Sequence, residues 1–362
     1  MKPPYYVPTM AVVEAARGTN GYTAVSTFSG AGGSCLGHTL AGFAVLWANE
    51  FIPAAQDTYM RNHPTSHLDT RDVREVQGAD ILNAVGKDIG EIDLFDGSPP
   101  CSAFSNAGSR GQQWGKIKGY SDTKQRVDDL LFEFARLVAF TRPRVFVAEN
   151  VGGLLRGKGL GRFRELVKRL PGYTIRAQTM DAVWMGVPQR RERAIIIGVR
   201  SDLGVPPAFP KPLKYYYTAG DALPWLRAPA GTRVARLGEI TDRVPLAKSR
   251  REGKKYNTYE VLPHRPCPTV TVASDGNDLF IIGPTEQEAN AGIIAPADPR
   301  KINISELRRL CGFPPDFQPT GSFSKQYERL GRAVPPPMMC AVASTIRDAV
   351  LRKADHGQQQ QH

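Results

Sequence analysis

The sequence predicts an α/β fold, with a nucleotide-type sheet covered by helices on both faces and joined to a second, smaller domain. Three observations carry this expectation. Short apolar runs alternate with helix-spaced apolar residues from about Thr23 to Val199. From about Ser201 the character changes, with Pro206, Pro207, Pro210 and Pro212 crowding ahead of three consecutive tyrosines, Tyr215–Tyr217. A helical pattern returns after Ile302 and ends in an amphipathic stretch over Ala341–Leu351.

The first strand is expected at Tyr22–Phe28 and runs into Phe28-Ser29-Gly30-Ala31-Gly32-Gly33, after which Leu36–Leu40 opens a helix. Glycines at such a junction let the backbone approach a ligand at a helix N-terminus. The second strand, Ala44–Ala48, is followed by Glu50, about twenty residues on, the distance at which such folds hold ribose hydroxyls. A short third strand would precede Asp72, a residue suited to an adenine amino group. The fourth, Ile92–Phe95, is stopped by Gly97 and Pro99-Pro100, which puts Cys101 at the carboxyl edge where open α/β sheets place ligands. Leu130, Leu131, Phe134, Leu137 and Val138 recur at helical spacing, and Arg142-Pro143 closes that helix. Val145–Ala148 delivers Glu149 to the edge that holds Cys101. Thr174–Met180 and Ala194–Val199 complete the expected strands, and Gln189-Arg190-Arg191-Glu192-Arg193 leads into the last of them. The domains drawn from this pattern are 1–200 with 300–354, a module at 201–299, and a polar tail at 355–362.

Bulk properties narrow the function. The 362 residues carry 47 Lys and Arg against 35 Asp and Glu, a net charge of +12 that suits an acidic polymer. The stretch Lys248-Ser249-Arg250-Arg251, followed by Lys254-Lys255 and interleaved with Tyr256 and Tyr259, reads either as a solvated face or as a nucleic-acid contact. Five widely spaced cysteines without a CxxC argue against a disulfide framework and against a zinc site, so no metal is expected. No run approaches a membrane span and the first residues lack a signal-peptide core, which together suit a cytoplasmic, nucleoid-associated protein.

The chemistry gathers at three points. Cys101, on a loop stiffened by two prolines, is the candidate nucleophile. Glu149 could protonate or grip a ring nitrogen beside it. The arginines before Ala194 are either a solubilising turn or a cationic wall that holds a phosphate or a base carbonyl and lowers a thiol pKa.

These ordered segments resemble those of the DNA cytosine-5 methyltransferases. The resemblance rests on Phe28–Gly33, Gly97-Ser-Pro-Pro-Cys101, Glu149-Asn-Val151, Gln189-Arg-Arg-Glu-Arg193, Ser305–Pro314 and Gly331-Arg-Ala-Val-Pro-Pro336. It covers nearly everything outside the module at 201–299. It implies a Rossmann-like, S-adenosylmethionine-dependent sheet completed by the C-terminal segment, with the module as a target-recognition domain for double-stranded DNA. The cytosine would be flipped out, attacked at carbon 6 by Cys101 and alkylated at carbon 5, with Glu149 gripping the ring. By position, Arg193 would meet the base carbonyl and Arg191 the catalytic acid or a phosphate. Cofactor contacts would come from Phe28, Gly30, Gly32, Gly33, Glu50, Asp72, Pro100, Leu131, Arg332 and Ala333. DNA contacts would come from Ser102, Ser105, Gln189, Arg250, Arg251, Lys254 and Lys255, with Ser102–Gln113 as a closing loop. The resemblance further implies a monomer and a companion restriction endonuclease, in a bacterium or a phage-infected cell.

Two positions depart from the family pattern. Ser102 stands where glutamine is usual, and Arg332 replaces the asparagine of the last motif. A cation at 332 would disfavour a methylsulfonium and could pair with the carboxylate of carboxy-S-adenosylmethionine, which opens carboxymethyl transfer as an alternative to methyl transfer. Arg332 turning to a phosphate or a carboxylate would leave a plain methyltransferase. An RNA substrate, and a DNA-binding regulator without catalysis, are the remaining alternatives.

Overall fold

A computed structural model describes residues 2–100, 118–120, 123–125, 129–226, 245–251, 254–270, 279–281, 283–292 and 300–359. The chain divides into two compact units, each assembled from separate stretches. The larger takes Ala11–Met180, Glu192–Lys211 and Met338–His362; the smaller takes Met1–Met10, Asp181–Arg191 and Pro212–Pro337. Residues 300–337 therefore group with the module at 212–299, whereas the sequence reading draws them with the catalytic domain.

In the larger unit seven strands form one sheet: β1 (Thr23–Thr27), β2 (Ala44–Asn49), β3 (His67–Asp69), β4 (Leu94–Gly97), β5 (Val145–Val151), β6 (Tyr173–Asp181) and β7 (Glu192–Arg200). Their spatial order is β3-β2-β1-β4-β5-β7-β6. Strands β1 to β5 are mutually parallel, and the order reverses direction between β1 and β4, which opens a crevice beyond their carboxyl ends. β7 runs antiparallel to β5, in a register that sets Ala148 opposite Ile196 and Val151 opposite Arg193. The apolar runs are β-branched and buried on both faces, as central strands of such sheets require: Val145–Ala148 and Ala194–Ile197 are wholly buried. β6, at the edge, instead alternates half-buried and exposed residues along most of its length.

Helices α1 (Gly33–Leu40), α2 (Pro53–Asn62), α3 (Gly78–Val85), α4 (Leu130–Thr141) and α5 (Gly159–Lys168) connect these strands. Alternation along a strand separates the two faces. Val25 and Phe95 point to one face and pack with Ile81, Leu82, Phe134 and Leu137 of α3 and α4. Ser26 and Asp96 point to the other, toward His38 of α1. α3 is framed by a Gln77/Asp80 capping box and a left-handed Gly86. α4 ends at Arg142, left-handed with φ 49°, whose N–H bonds Val138 just before Pro143.

The last segment of this unit runs from helix α10 (Pro336–Ile346) through a π-type turn at Arg347–Leu351 into α11 (Arg352–Gln359). The expected polar tail is thus helical as far as Gln359. Asp355 accepts a hydrogen bond from Tyr22 Oη at 2.5 Å and pairs with Arg144, which also holds Asp93. A polar residue near the end of the sequence looked solvated because these partners are remote along the chain.

The smaller unit holds a four-stranded sheet of β8 (Pro245–Arg251), β9 (Lys254–Glu260), β10 (Leu279–Ile281) and β11 (Arg300–Lys301), in that order. Its helices are α6 (Ala219–Ala222), α7 (Glu286–Asn290), α8 (Ile304–Leu310) and α9 (Phe323–Arg332). Thr218, Thr285 and Asn303 cap the first three through capping boxes. Buried Glu306 closes one such box and also grips Arg300 at 2.6 Å. The tyrosine run packs internally: Tyr217 meets Tyr5 and Tyr215, while Tyr216 meets Trp184. No described helix is long and apolar enough to cross a membrane.

Candidate active site

The carboxyl edge of the larger sheet holds the glycine loop Phe28–Gly33, Glu50 and Glu149. β1 is followed directly by Phe28, which takes a left-handed φ of 55°, a conformation that bulky side chains rarely adopt and that turns the chain sharply into the glycine loop. Gly32 is the left-handed N-cap of α1, with φ 85°. A Cβ there would lie 2.0 Å from His63 Nε2, so glycine alone fits both the backbone and the space. His63 is stacked on Tyr59 at 4.4 Å, and burial lowers its pKa to about 3, which keeps the imidazole neutral against the loop.

Glu50 is buried, and each carboxylate oxygen accepts a backbone N–H, one from Gly30 and one from Ile52, both at 2.7 Å. It thereby ties the end of β2 to the loop after β1. Asp72 is half-buried and held by Arg74, whose guanidinium also reaches Asp129 at 2.8 Å. Leu131 is buried in the core at the start of α4, and Pro100 is half-buried. The glycine loop, the N-terminus of α1 and these carboxylates fit the adenosine and amino-acid parts of a nucleoside cofactor. A loop whose Gly30 has open space where a Cβ would stand leaves room for one.

Gly97, the last residue of β4, has no room for a side chain, because a Cβ would stand 2.5 Å from Phe134 and 2.7 Å from Thr27 Oγ1. The segment after it is anchored by Asn150, whose Nδ2 donates to the Pro99 carbonyl at 3.1 Å. The partner of Asn150 is a main-chain carbonyl, so the motif Glu149-Asn-Val151 carries no sign of this tether in its residue types. Cys101, Ser102, Ser105 and the rest of Ser102–Gln113 lie outside the described residues. Burial pushes the thiols of Cys35 and Cys311 up to about 12 and about 11 and also raises that of Cys340, so these three are poor nucleophiles.

Glu149 reaches the same edge from β5, almost buried, with Arg193 Nε 2.6 Å from its Oε1. The antiparallel register of β7 creates this pair, since it brings the start of β7 beside the end of β5. The N–H vector is not aligned along the contact, because Oε1 has no hydrogen bond of good geometry. The expected base contact of Arg193 therefore begins from a guanidinium held at the carboxylate.

Arg191 has a different setting. It belongs to the smaller unit, is 2% exposed, and donates from its two terminal nitrogens to the carbonyls of Gly331 and Arg332, each at 2.8 Å. Asp181, which the sequence did not single out, organises the segment by accepting from the Arg191 N–H at 2.8 Å and from Arg190 Nε at 2.5 Å. Its signal was a carboxylate at a strand end, ten residues before the arginine. Gln189, expected at DNA, is buried, with its Nε2 donating to Cys311 Sγ at 3.2 Å. Arg332 sits at the end of α9, with Nε donating to Glu328 Oε1 at 2.8 Å, and Glu328 also pairs with Arg329. Ala333 is half-buried. In the β8/β9 pair, Arg250 is registered with Lys255 and Arg251 with Lys254; their side chains lie outside the described residues.

Residues 22–348 match the sequence profile of a family described as C-5 cytosine-specific DNA methylase. Among curated proteins, the chain is 31% identical over 351 residues to the Type II methyltransferase M1.HphI of Haemophilus parahaemolyticus, covering 90% of this chain and 86% of that protein. It is also 31% identical over 345 residues to M.PspPI of a Psychrobacter species, covering 90% and 79%. Among solved structures, a DNA modification methyltransferase encoded within an Escherichia coli prophage superposes with a TM-score of 0.67 at 22% identity, covering 91% of this chain and 99% of that one. At that identity the likeness speaks for the fold.

Proposed function

Because the chain belongs to the C-5 cytosine-specific DNA methylases, we propose that it methylates carbon 5 of cytosine in double-stranded DNA, with Cys101 as nucleophile and Glu149 as the group that grips the base. The observation that carries this reading is the Glu149–Arg193 pair at the strand edge. There the segment leading to Cys101 is tethered through Asn150. S-adenosylmethionine supplies an electrophilic methyl group on a sulfonium.

The Cys101 thiolate forms a bond to carbon 6 as the displaced ring electron pair takes a proton at nitrogen 3 from the carboxyl of Glu149, and carbon 5 of the resulting enamine takes the methyl, whose carbon–sulfur bond breaks to leave the neutral thioether S-adenosylhomocysteine. Glu149 holds ring nitrogen 3 and the amino group while charge develops there. The carbon 5 proton then passes to a base, and the returning electron pair expels Cys101. Both ring faces must be open for this sequence, which requires the cytosine outside the duplex. The loop Phe28–Gly33, Glu50 and Asp72 hold the cofactor. The module at 201–299 reads the target sequence, and the Type II relatives support a role in protecting a restriction site.

The group transferred is methyl. Arg332, the residue that would favour a carboxylated donor, is already engaged by Glu328, and this supports methyl over carboxymethyl. Two experiments test the reading. In the presence of S-adenosylmethionine, duplex DNA carrying 5-fluorocytosine should attach irreversibly to the wild type and not to Cys101→Ala, because carbon 5 then has no proton to lose; no adduct with DNA, or an adduct with transfer RNA alone, overturns it. Mass spectrometry of nucleosides after reaction with each donor should give 5-methylcytosine only. Carboxymethylcytosine from the wild type that disappears in Arg332→Asn would reverse the assignment of the group.

A further inference from the structure

Beneath the reactive edge lies a buried polar cluster that the reaction itself does not use. Ser26 of β1 and His38 of α1 are fully buried, and Asp96 of β4 is 1% exposed. Ser26 Oγ donates to Asp96 Oδ2 at 2.8 Å. The other carboxylate oxygen faces His38 Nε2 at 3.3 Å, off the line of a hydrogen bond. From Ser26 the cluster continues upward, because Ser29 Oγ lies 3.2 Å from both the carbonyl and the hydroxyl of Ser26. Cys35 and Tyr59, bonded to each other at 3.4 Å, complete the titratable surroundings, and burial keeps both protonated.

We propose that Ser26, Asp96 and His38 form a buried strut that positions the cofactor loop relative to the strand leading to the nucleophile. Its two ends carry the argument. Ser29 lies inside the glycine loop Phe28–Gly33, and Asp96 lies five residues before Cys101. The two strands are neighbours in register, Ser26 against Asp96, so the side-chain hydrogen bond adds to the backbone ladder in coupling a shift of one strand to the other. A carboxylate and an imidazole in a core are no stability device, since an apolar pair of similar volume would fold as well or better. A hydrogen bond fixes direction where an apolar contact tolerates sliding. All three are closed off from solvent, so their part is that of positioning residues. The inference rests on the assignment of Phe28–Gly33 to S-adenosylmethionine and of Cys101 to the attack.

The test is His38→Leu with Asp96→Leu in one protein, measured without and with S-adenosylmethionine. The expected result is a melting temperature at or above that of the wild type, amide exchange over residues 29–33 faster by about tenfold in the cofactor-free protein, and a cofactor dissociation constant raised about tenfold. Asp96→Asn, which keeps an acceptor for Ser26, should stay within about threefold of the wild type in affinity. Wild-type exchange and affinity in the double variant would overturn the strut. Should the double variant not fold, Ser26→Ala cuts the same connection with a smaller change, and an unchanged loop in that variant overturns the strut equally. Wild-type binding of S-adenosylmethionine and formation of the Cys101 adduct report on the underlying assignment, so a failure there is distinguished from a failure confined to the variants.

Discussion

Arg191 and Arg193 stand two residues apart in one motif, yet they live in different surroundings. Arg193, at the start of β7 in the larger unit, is partly exposed and set against the carboxylate of Glu149. Arg191, in the smaller unit, is buried and spends its donors on two main-chain carbonyls. The first arrangement leaves a cation beside the carboxylate proposed to grip the base, where on that reading it acts on charge that appears during the reaction. The second spends a cation on holding the backbone of Gly331 and Arg332. A sequence motif therefore contains two occupations, and the border between them coincides with the point where the chain passes from one unit to the other.

The largest effects should fall on the Arg193 side. Glu149→Gln should lower kcat by about 10² to 10⁴ with melting little changed, and Arg193→Ala should follow with a loss of about 10²; a near-wild-type rate in either would erase the distinction. On the other side, Arg191→Ala removes two charge-assisted hydrogen bonds and should destabilise the protein by about 3 kcal/mol in a denaturant titration. Arg191→Lys should not restore this, because a point-like ammonium cannot serve two carbonyls in a fixed fork. If Arg191→Ala instead kept wild-type stability while losing turnover, both arginines would belong to the chemistry.

His63 differs from both arginines in being kept uncharged. The unfolded chain protonates His63 near pH 6.5, whereas the folded protein resists protonation until about pH 3. Between these values the unfolded state binds the extra proton, so stability is full above pH 6.5 and falls as pH drops, by about 1.4 kcal/mol per unit. His63→Gln should flatten that slope in acid-unfolding curves. The smallest effect is expected at Arg332: the side chain is itself exposed, its pair with Glu328 is four residues along a helix, and Glu328 keeps Arg329 as a partner, so Arg332→Asn should change stability by about 0.5 kcal/mol or less and leave methyl transfer within about threefold.

Much of the large sheet was legible in the sequence. The strands drawn at Tyr22–Phe28, Ala44–Ala48, Val145–Ala148, Thr174–Met180 and Ala194–Val199 fall within a few residues of the observed ones, because β-branched runs bounded by glycine, proline or charge leave the chain few alternatives. The reversal of β7 was not legible, since residue pattern carries no strand direction. Glu149 and Arg193 were each named, but their pairing depends on that reversal. Partners that are backbone carbonyls leave no trace in residue identity, which is why Arg191 was assigned to an acid or a phosphate. Asp96 escaped notice for a related reason: within an apolar strand its purpose is visible only once His38 and Ser26 are seen beside it.

The bond between Tyr22 and Asp355 joins residues 333 positions apart. At a synthesis rate of about 5 to 20 residues per second, the first strand would wait roughly 17 to 70 seconds on the ribosome before that partner is made. Arg144 would wait for the same carboxylate. The N-terminal ends of β1 and β5 are therefore sealed late, and until then the growing chain carries a nearly finished sheet whose lower rim still lacks its closing helix.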